Sequence, residues 1–210
     1  MPAIISDTQT DFKFQTITHT ATSPFIYAVA HPVLNAHVRN FTLVINSDSE
    51  YGMELMGFRN CVFENINIQY NGDPAICKAL ILLQSGDKTG DGGTGGCHYN
   101  IFRNIRLSCG GAKRGVLIKR GGTQGCNANA FYDFKIHNPS RTGFDLNGGI
   151  GNHMYNILVE GRADSKPKFG ILFRNGHHNT LFGYYVENAQ LPFFLNNEVG
   201  SHTYGGYERA

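Results

Sequence analysis

One unit is written twice between Gly143 and Glu187. Gly143-Phe144-Asp145-Leu146-Asn147 leads to Asn152-His153-Met154-Tyr155-Asn156-Ile157-Leu158-Val159-Glu160, and Gly170-Ile171-Leu172-Phe173-Arg174 leads to Asn179-Thr180-Leu181-Phe182-Gly183-Tyr184-Tyr185-Val186-Glu187. The offset is 27 residues at both ends. Self-similarity at a fixed short period means an architecture of stacked repeats, which restricts the fold more than any composition does.

The wider pattern is apolar-x-Asn-apolar-x-apolar. It recurs from Phe63, Phe102, Phe131, Met154 and Leu181, with an earlier copy around Phe41. The first apolar residue after the Asn position falls at 41, 66, 105, 134, 157 and 184, giving steps of 25, 39, 29, 23 and 27. A second apolar segment precedes most copies: Gly52 to Leu55, Leu80 to Leu83, Gly115 to Ile118, Gly143 to Leu146 and Gly170 to Phe173. Pro192-Phe193-Phe194-Leu195 opens a last, incomplete unit. Every segment is short and alternates with period two, which predicts strands. The long step carries an insertion, the glycine-rich stretch from Gln84 to Gly96.

A unit of two or three short strands cannot bury its inner face alone. Stacking like on like closes a continuous apolar column, with strands about 4.8 Å apart. The reading is all-β: a right-handed single-stranded parallel β-helix of about six to seven rungs. Residues 1–22 form an N-terminal strand or entry cap, 23–200 the helix, and 201–210 a C-terminal tail. A sandwich or propeller would want Asn-Gly or Asp-Gly hairpins in every unit. Asn71-Gly72, Asp91-Gly92 and Asn147-Gly148 do not recur in that way.

Stacking makes columns. One runs through Asn40, Asn65, Asn104, Asp133 and Asn156, broken by Gly183. Another runs through Asn100, Asn129, Asn152 and Asn179, with Cys61 in the earlier unit. Eight of the chain's 20 asparagines find a structural use there, as amides hydrogen-bonded along the axis.

The same repeated phrases resemble right-handed parallel β-helix proteins of the pectate-lyase-like kind, and among them phage tailspikes and tail appendages. The resemblance spans roughly residues 35–200. It implies a homotrimer on a virion, assembled in the host cytoplasm, touching other virion proteins and a bacterial surface polysaccharide as a further partner. The chain shows no separate particle-attachment or trimerisation domain. The favoured expectation is therefore a non-enzymatic decoration or tail-appendage component. The alternative is a tailspike-type polysaccharide depolymerase, and a third reading is a fragment of a bacterial β-helix enzyme or adhesin.

For the depolymerase, the candidate catalytic pair is Glu160 and Glu187. They occupy equivalent positions in adjacent units, with His137 one unit below. One rung of separation is about 5 Å, the spacing of a retaining glycosidase pair. Mutual repulsion would then leave one acid and one base. Asp145 is a weaker candidate. For an interface, the outer column Glu54, Leu117, Asp145, Leu172 and Phe194 is the candidate, since an exposed apolar stripe at Leu117, Leu172 and Phe194 marks association.

Other chemistry lacks its residues. No Gly-x-Ser-x-Gly elbow and no P-loop ending are present, and the aspartates do not cluster for calcium. No cofactor and no metal is expected. The net charge is +2, and the only basic doublets are Lys113-Arg114 and Lys119-Arg120, so no nucleic-acid partner is expected. No apolar run is long enough to span a bilayer, and the first residues do not read as a secretory signal. Cys61, Cys77, Cys97, Cys109 and Cys126 have no zinc-binding spacing. They read as small buried hydrophobes, with disulfides the alternative.

Overall fold

The structure is a computed structural model and describes residues 3–4, 9–27, 33–85, 96–121 and 125–209. Most of the predicted insertion, 86–95, lies outside the described residues, as do residues 122–124 of the other glycine-rich stretch.

Every regular element among the described residues is a strand. One eight-stranded sheet holds β1 (Ala3–Ile4), β3 (Ile26–Tyr27), β6 (Tyr51–Met56), β9 (Ala79–Gln84), β11 (Arg114–Lys119), β13 (Thr142–Asn147), β15 (Phe169–Arg174) and β17 (Leu191–Asn196). The other holds β2 (Gln9–His19), β5 (His37–Ile45), β8 (Val62–Tyr70), β10 (Ile101–Ser108), β12 (Ala130–His137), β14 (His153–Glu160), β16 (Thr180–Glu187) and β18 (His202–Arg209). A two-stranded sheet pairs β4 (Val33–Leu34) with β7 (Phe58–Arg59). All pairs are parallel, and from β5 to β18 the chain alternates between the two large sheets as it advances. That is a parallel β-solenoid. The last ten residues, set apart in the sequence as a tail, contain β18, which pairs along its length with β16.

Register follows the repeats. Phe63 pairs with Phe102, Phe102 with Phe131, Phe131 with Met154, and Met154 with Leu181. These inward residues form one core with those of the first sheet, such as Val116, Phe144 and Ile171. Like residues stack on like: the Phe63 and Phe102 rings lie 4.8 Å apart at 6°, and Phe102 and Phe131 5.1 Å apart at 7°. Burying each such ring stabilises the fold by roughly 1.5–3 kcal/mol. No single unit could obtain that without its neighbours.

From β5 onward, the long strands of the second sheet are each interrupted by one residue. Asn40, Asn65, Asn104, Asp133 and Asn156 have φ of 61°, 53°, 51°, 56° and 55°, and Gly183 and Gly205 have 65° and 56°. The register skips these positions, passing from Arg103↔Tyr132 to Ile105↔Phe134. A lone left-handed residue between extended ones bends the strand. Asn, Asp and Gly tolerate that conformation best. This explains why the column holds nothing else from β5 onward, and why Gly183 continues it; in β2 the corresponding left-handed residues are Lys13 and Phe14, with φ of 50° and 61°.

At the C-terminal end the inward columns turn polar. Thr203, Gly206 and Glu208 of β18 stand where Leu181, Tyr184 and Val186 stand one coil earlier. Tyr184 donates its hydroxyl to Glu208 Oε1 at 2.8 Å. Burial, with Glu208 adding to it, pushes the Tyr184 phenol up to about 12. The phenol stays a donor, and the pair covers this end of the core.

Candidate functional site

The buried asparagine column is a hydrogen-bonded ladder. Asn129 is fully buried, and its Nδ2 donates to Asn152 Oδ1 and to the carbonyl of Cys97, both at 3.0 Å. Asn152 Nδ2 repeats this on Asn179 Oδ1 at 3.1 Å and on Cys126 O at 3.0 Å. Asn100 does the same on Asn129 Oδ1 and Phe58 O at 2.9 and 2.8 Å. Each Oδ1 also accepts a backbone N–H from the preceding coil, starting with Cys61 N to Asn100. Asn179 closes the ladder on Ser201 and Glu198. The left-handed column forms an exposed counterpart: Asn65 Nδ2 donates to Asn40, Asn104 to Asn65 and Asn156 to Asp133, at 2.9, 2.8 and 3.0 Å. These amides are occupied in holding coil to coil.

Glu160 and Glu187 pair in register, as adjacent units require. Their carboxylates are engaged apart from one another. Glu160 Oε2 lies 3.0 Å from His137 Nδ1, on the coil below. Glu187 Oε2 accepts from the Tyr185 hydroxyl at 2.7 Å, and its Oε1 lies 3.6 Å from Arg209 Nη1 on the coil above. The column therefore reads His137, Glu160, Glu187, Arg209, and each acid is held by a different neighbour.

The outer column of the first sheet differs from its expectation. Leu117 and Leu172 are 7% and 6% exposed, and Asp145 only 1%; Phe194 alone stands out, at 40%. Leu117 packs with Ala79 and Leu82 under Tyr51. Asp145 is gripped by Arg114 Nε at 2.7 Å and by both Nε and Nη2 of Arg174 at 2.9 Å. Alternation put this column on the outer face. Long side chains from flanking columns then folded over it, as long amphipathic side chains can cover apolar surface. Leu117 and Leu172 do not form an exposed stripe with Phe194.

All five cysteines are buried free thiols. Cys61 donates to Val33 O, and Cys97 to Leu55 O at 3.1 Å. All five fill the interior, and Cys61, Cys97 and Cys126 offer weak hydrogen bonds to backbone carbonyls. Burial pushes the Cys77 thiol up to about 12 and raises Cys109 further.

The aromatic surface lies elsewhere, on the second sheet. Tyr132, Tyr155, Phe182 and Tyr204 stack on its outer face with centroids 4.9, 5.0 and 4.8 Å apart and planes within 9°. Tyr185 and Tyr207 stack in a parallel column at 5.4 Å. Where the left-handed residues become Gly183 and Gly205, a groove of about 540 Å³ opens beside the second column, lined by them and by Lys135, Tyr184, Tyr185 and Tyr207. Toward the other end of the sheet the first column turns ionic. Glu64, 8% exposed, binds Arg103 closely and His37 at 2.9 Å, with Arg39 at 3.7 Å. Burial works to raise the Glu64 pKa, but the hydrogen bonds from Arg103 and His37 outweigh it and hold the carboxyl below its ordinary value. A signal for the aromatic column was present in the sequence: an aromatic residue directly precedes the Asp, Asn or Gly position in four consecutive units.

Among the described residues, no group of three or more His, Cys, Asp or Glu side chains could hold a metal ion. No helix there is long and apolar enough to cross a membrane. Comparison of the chain with protein-family models, with curated proteins and with solved structures returns no match.

Proposed function

We propose that the chain is a non-enzymatic structural component of a virion surface. In this reading it is a right-handed β-helix that self-associates as a homotrimer and contacts other virion proteins and a host surface glycan. The right hand is the one that parallel strand-to-strand crossovers adopt in about 98% of cases. The virion setting draws on the likeness of the repeated Asn-His-Met-Tyr-Asn-Ile and Asn-Thr-Leu-Phe-Gly-Tyr phrases to phage tail appendages. The observation that supports a structural role is the use made of the buried polar groups. Asn100, Asn129, Asn152 and Asn179 join coils, and Asp145 anchors two arginines.

The depolymerase alternative draws on the register of Glu160 with Glu187. A retaining pair works as acid and nucleophile across one scissile bond. Here Glu160 faces His137 and Glu187 faces Tyr185 and Arg209. The deciding experiment incubates the protein with bacterial capsule and O-antigen polysaccharides and follows new reducing ends. The structural reading expects none. Release that disappears in both Glu160→Gln and Glu187→Gln would replace it with the enzyme. Mass spectrometry of purified virions tests the location, and light scattering the assembly.

A further inference from the structure

The self-association in the proposed function needs a surface, and the first-sheet column does not supply one. We infer that the chain associates with further copies of itself through the outer face of the second sheet, along its two aromatic columns and the groove beside Tyr185 and Tyr207. This inference rests on that proposed self-association and names its surface.

Exposed aromatic side chains line up there, stacked coil on coil. Tyr132, Tyr204 and Tyr207 are 37%, 52% and 59% exposed. Tyr155, Phe182 and Tyr185 are partly exposed between them. A contiguous aromatic strip of this kind on a soluble protein marks an interaction site.

The geometry of the rings favours a protein occupant. A sugar docks by lying on an open aromatic face. In these stacks the planes are parallel within 9° and neighbouring centroids are 4.8 to 5.4 Å apart, so each ring covers the faces of the next. What the strip presents outward along its length is ring edges and phenol hydroxyls. Edges pack against other rings, and hydroxyls reach backbone and side-chain acceptors.

Size and charge point to a second copy. Eight strands at about 4.8 Å span roughly 34 Å, and two side-chain columns with their floor are roughly 20 Å wide. The whole face is on the order of 700 Å² per partner, close to the ~800 Å² of a standard interface, and the aromatic columns on β12, β14, β16 and β18 cover about half of it. The face is aromatic from β12 to β18 and ionic at Arg39, Glu64 and Arg103 on β5, β8 and β10. Asp133, at the bend, and Lys135, two residues beyond it on the same strand, are both exposed. Copies arranged about an axis parallel to the solenoid keep equivalent coils at equal height. Lys135 of one copy then meets Asp133 of the next, and every ring finds a counterpart at the same spacing.

The test is light scattering over a concentration series for the full chain and three variants. Tyr132→Lys with Tyr204→Lys places charge on the strip. Lys135→Glu reverses an exposed charge. Phe194→Lys is the control on the opposite sheet. The wild type should be oligomeric, and both strip variants should need at least tenfold higher concentration to assemble, with unchanged circular dichroism. The control should match the wild type. An oligomeric wild type whose mass survives in both strip variants, or is lost in Phe194→Lys instead, overturns the inference but leaves the proposed self-association intact. A wild type that stays monomeric overturns both.

Discussion

Asn152→Ala tests the buried ladder most directly. The wild-type side chain makes four hydrogen bonds, with Asn129 N and Nδ2, with Cys126 O and with Asn179 Oδ1, at 3.0 to 3.1 Å. Two of the partners have other bonds: Asn129 Nδ2 keeps Cys97 O, and Asn179 Oδ1 keeps Asn152 N. The Asn129 N–H and the Cys126 carbonyl lose the ladder bond that served each of them. Each buried group left unsatisfied costs about 1–3 kcal/mol, and the small cavity adds to that, so the expected loss is about 4 kcal/mol. The exposed ladder provides the contrast. Asn65→Ala breaks two solvent-facing bonds and places alanine at φ 53°, a left-handed strain of about 1–2 kcal/mol. Asn65→Gly removes that strain, as the native Gly183 does in the same column. Urea unfolding of the three variants, compared at constant m-value, measures the differences. If Asn152→Ala loses less than about 1 kcal/mol, or no more than Asn65→Ala, the ladder does not hold the coils together as argued here.

Three further outcomes follow from named contacts. Glu64 has a folded pKa held below its unfolded value, so its contribution is fully present above the unfolded value of about 4.3 and is lost as pH falls through the folded one. Glu64→Gln should flatten the wild-type stability loss below about pH 4, read from urea midpoints between pH 2.5 and 6. Asp145→Asn leaves Arg114 and Arg174 without their shared anion and should cost about 3–5 kcal/mol by thermal or urea unfolding, since breaking a buried ion pair strands a charge. Cysteine titration with a thiol reagent at pH 8 should find all five thiols silent in the native protein and reactive in denaturant; a fast native thiol would contradict the burial of Cys77 and Cys109.

Much of this architecture is readable from spacing. Once Phe63, Phe102, Phe131, Met154 and Leu181 are aligned, period two assigns the inward face, and the register pairs those residues one above another. Less legible was the role of the residue two positions after each of them. The left-handed bend at Asn65 or Asn156 is one residue long, and within an alternating run it reads as another polar outward position. The aromatic column at Tyr132, Tyr155 and Phe182 was hidden by the same habit: between apolar neighbours, a tyrosine is read as core.

By itself the sequence determined that short strands stack in parallel coils and which residues share a column, because both are consequences of periodicity along the chain. Exposure, charge pairing and surface shape were decided only in the tertiary structure. Leu117 and Leu172 are outward by alternation and yet covered, and Asp145 between them is buried under two arginines. Glu160 and Glu187 share a column, but one turns to the coil below and the other to the coil above. The physical reason is common to all of them. A column follows from repeat length, whereas cover and pairing depend on how far long side chains reach from neighbouring columns and coils, and those distances exist only once the chain has wound.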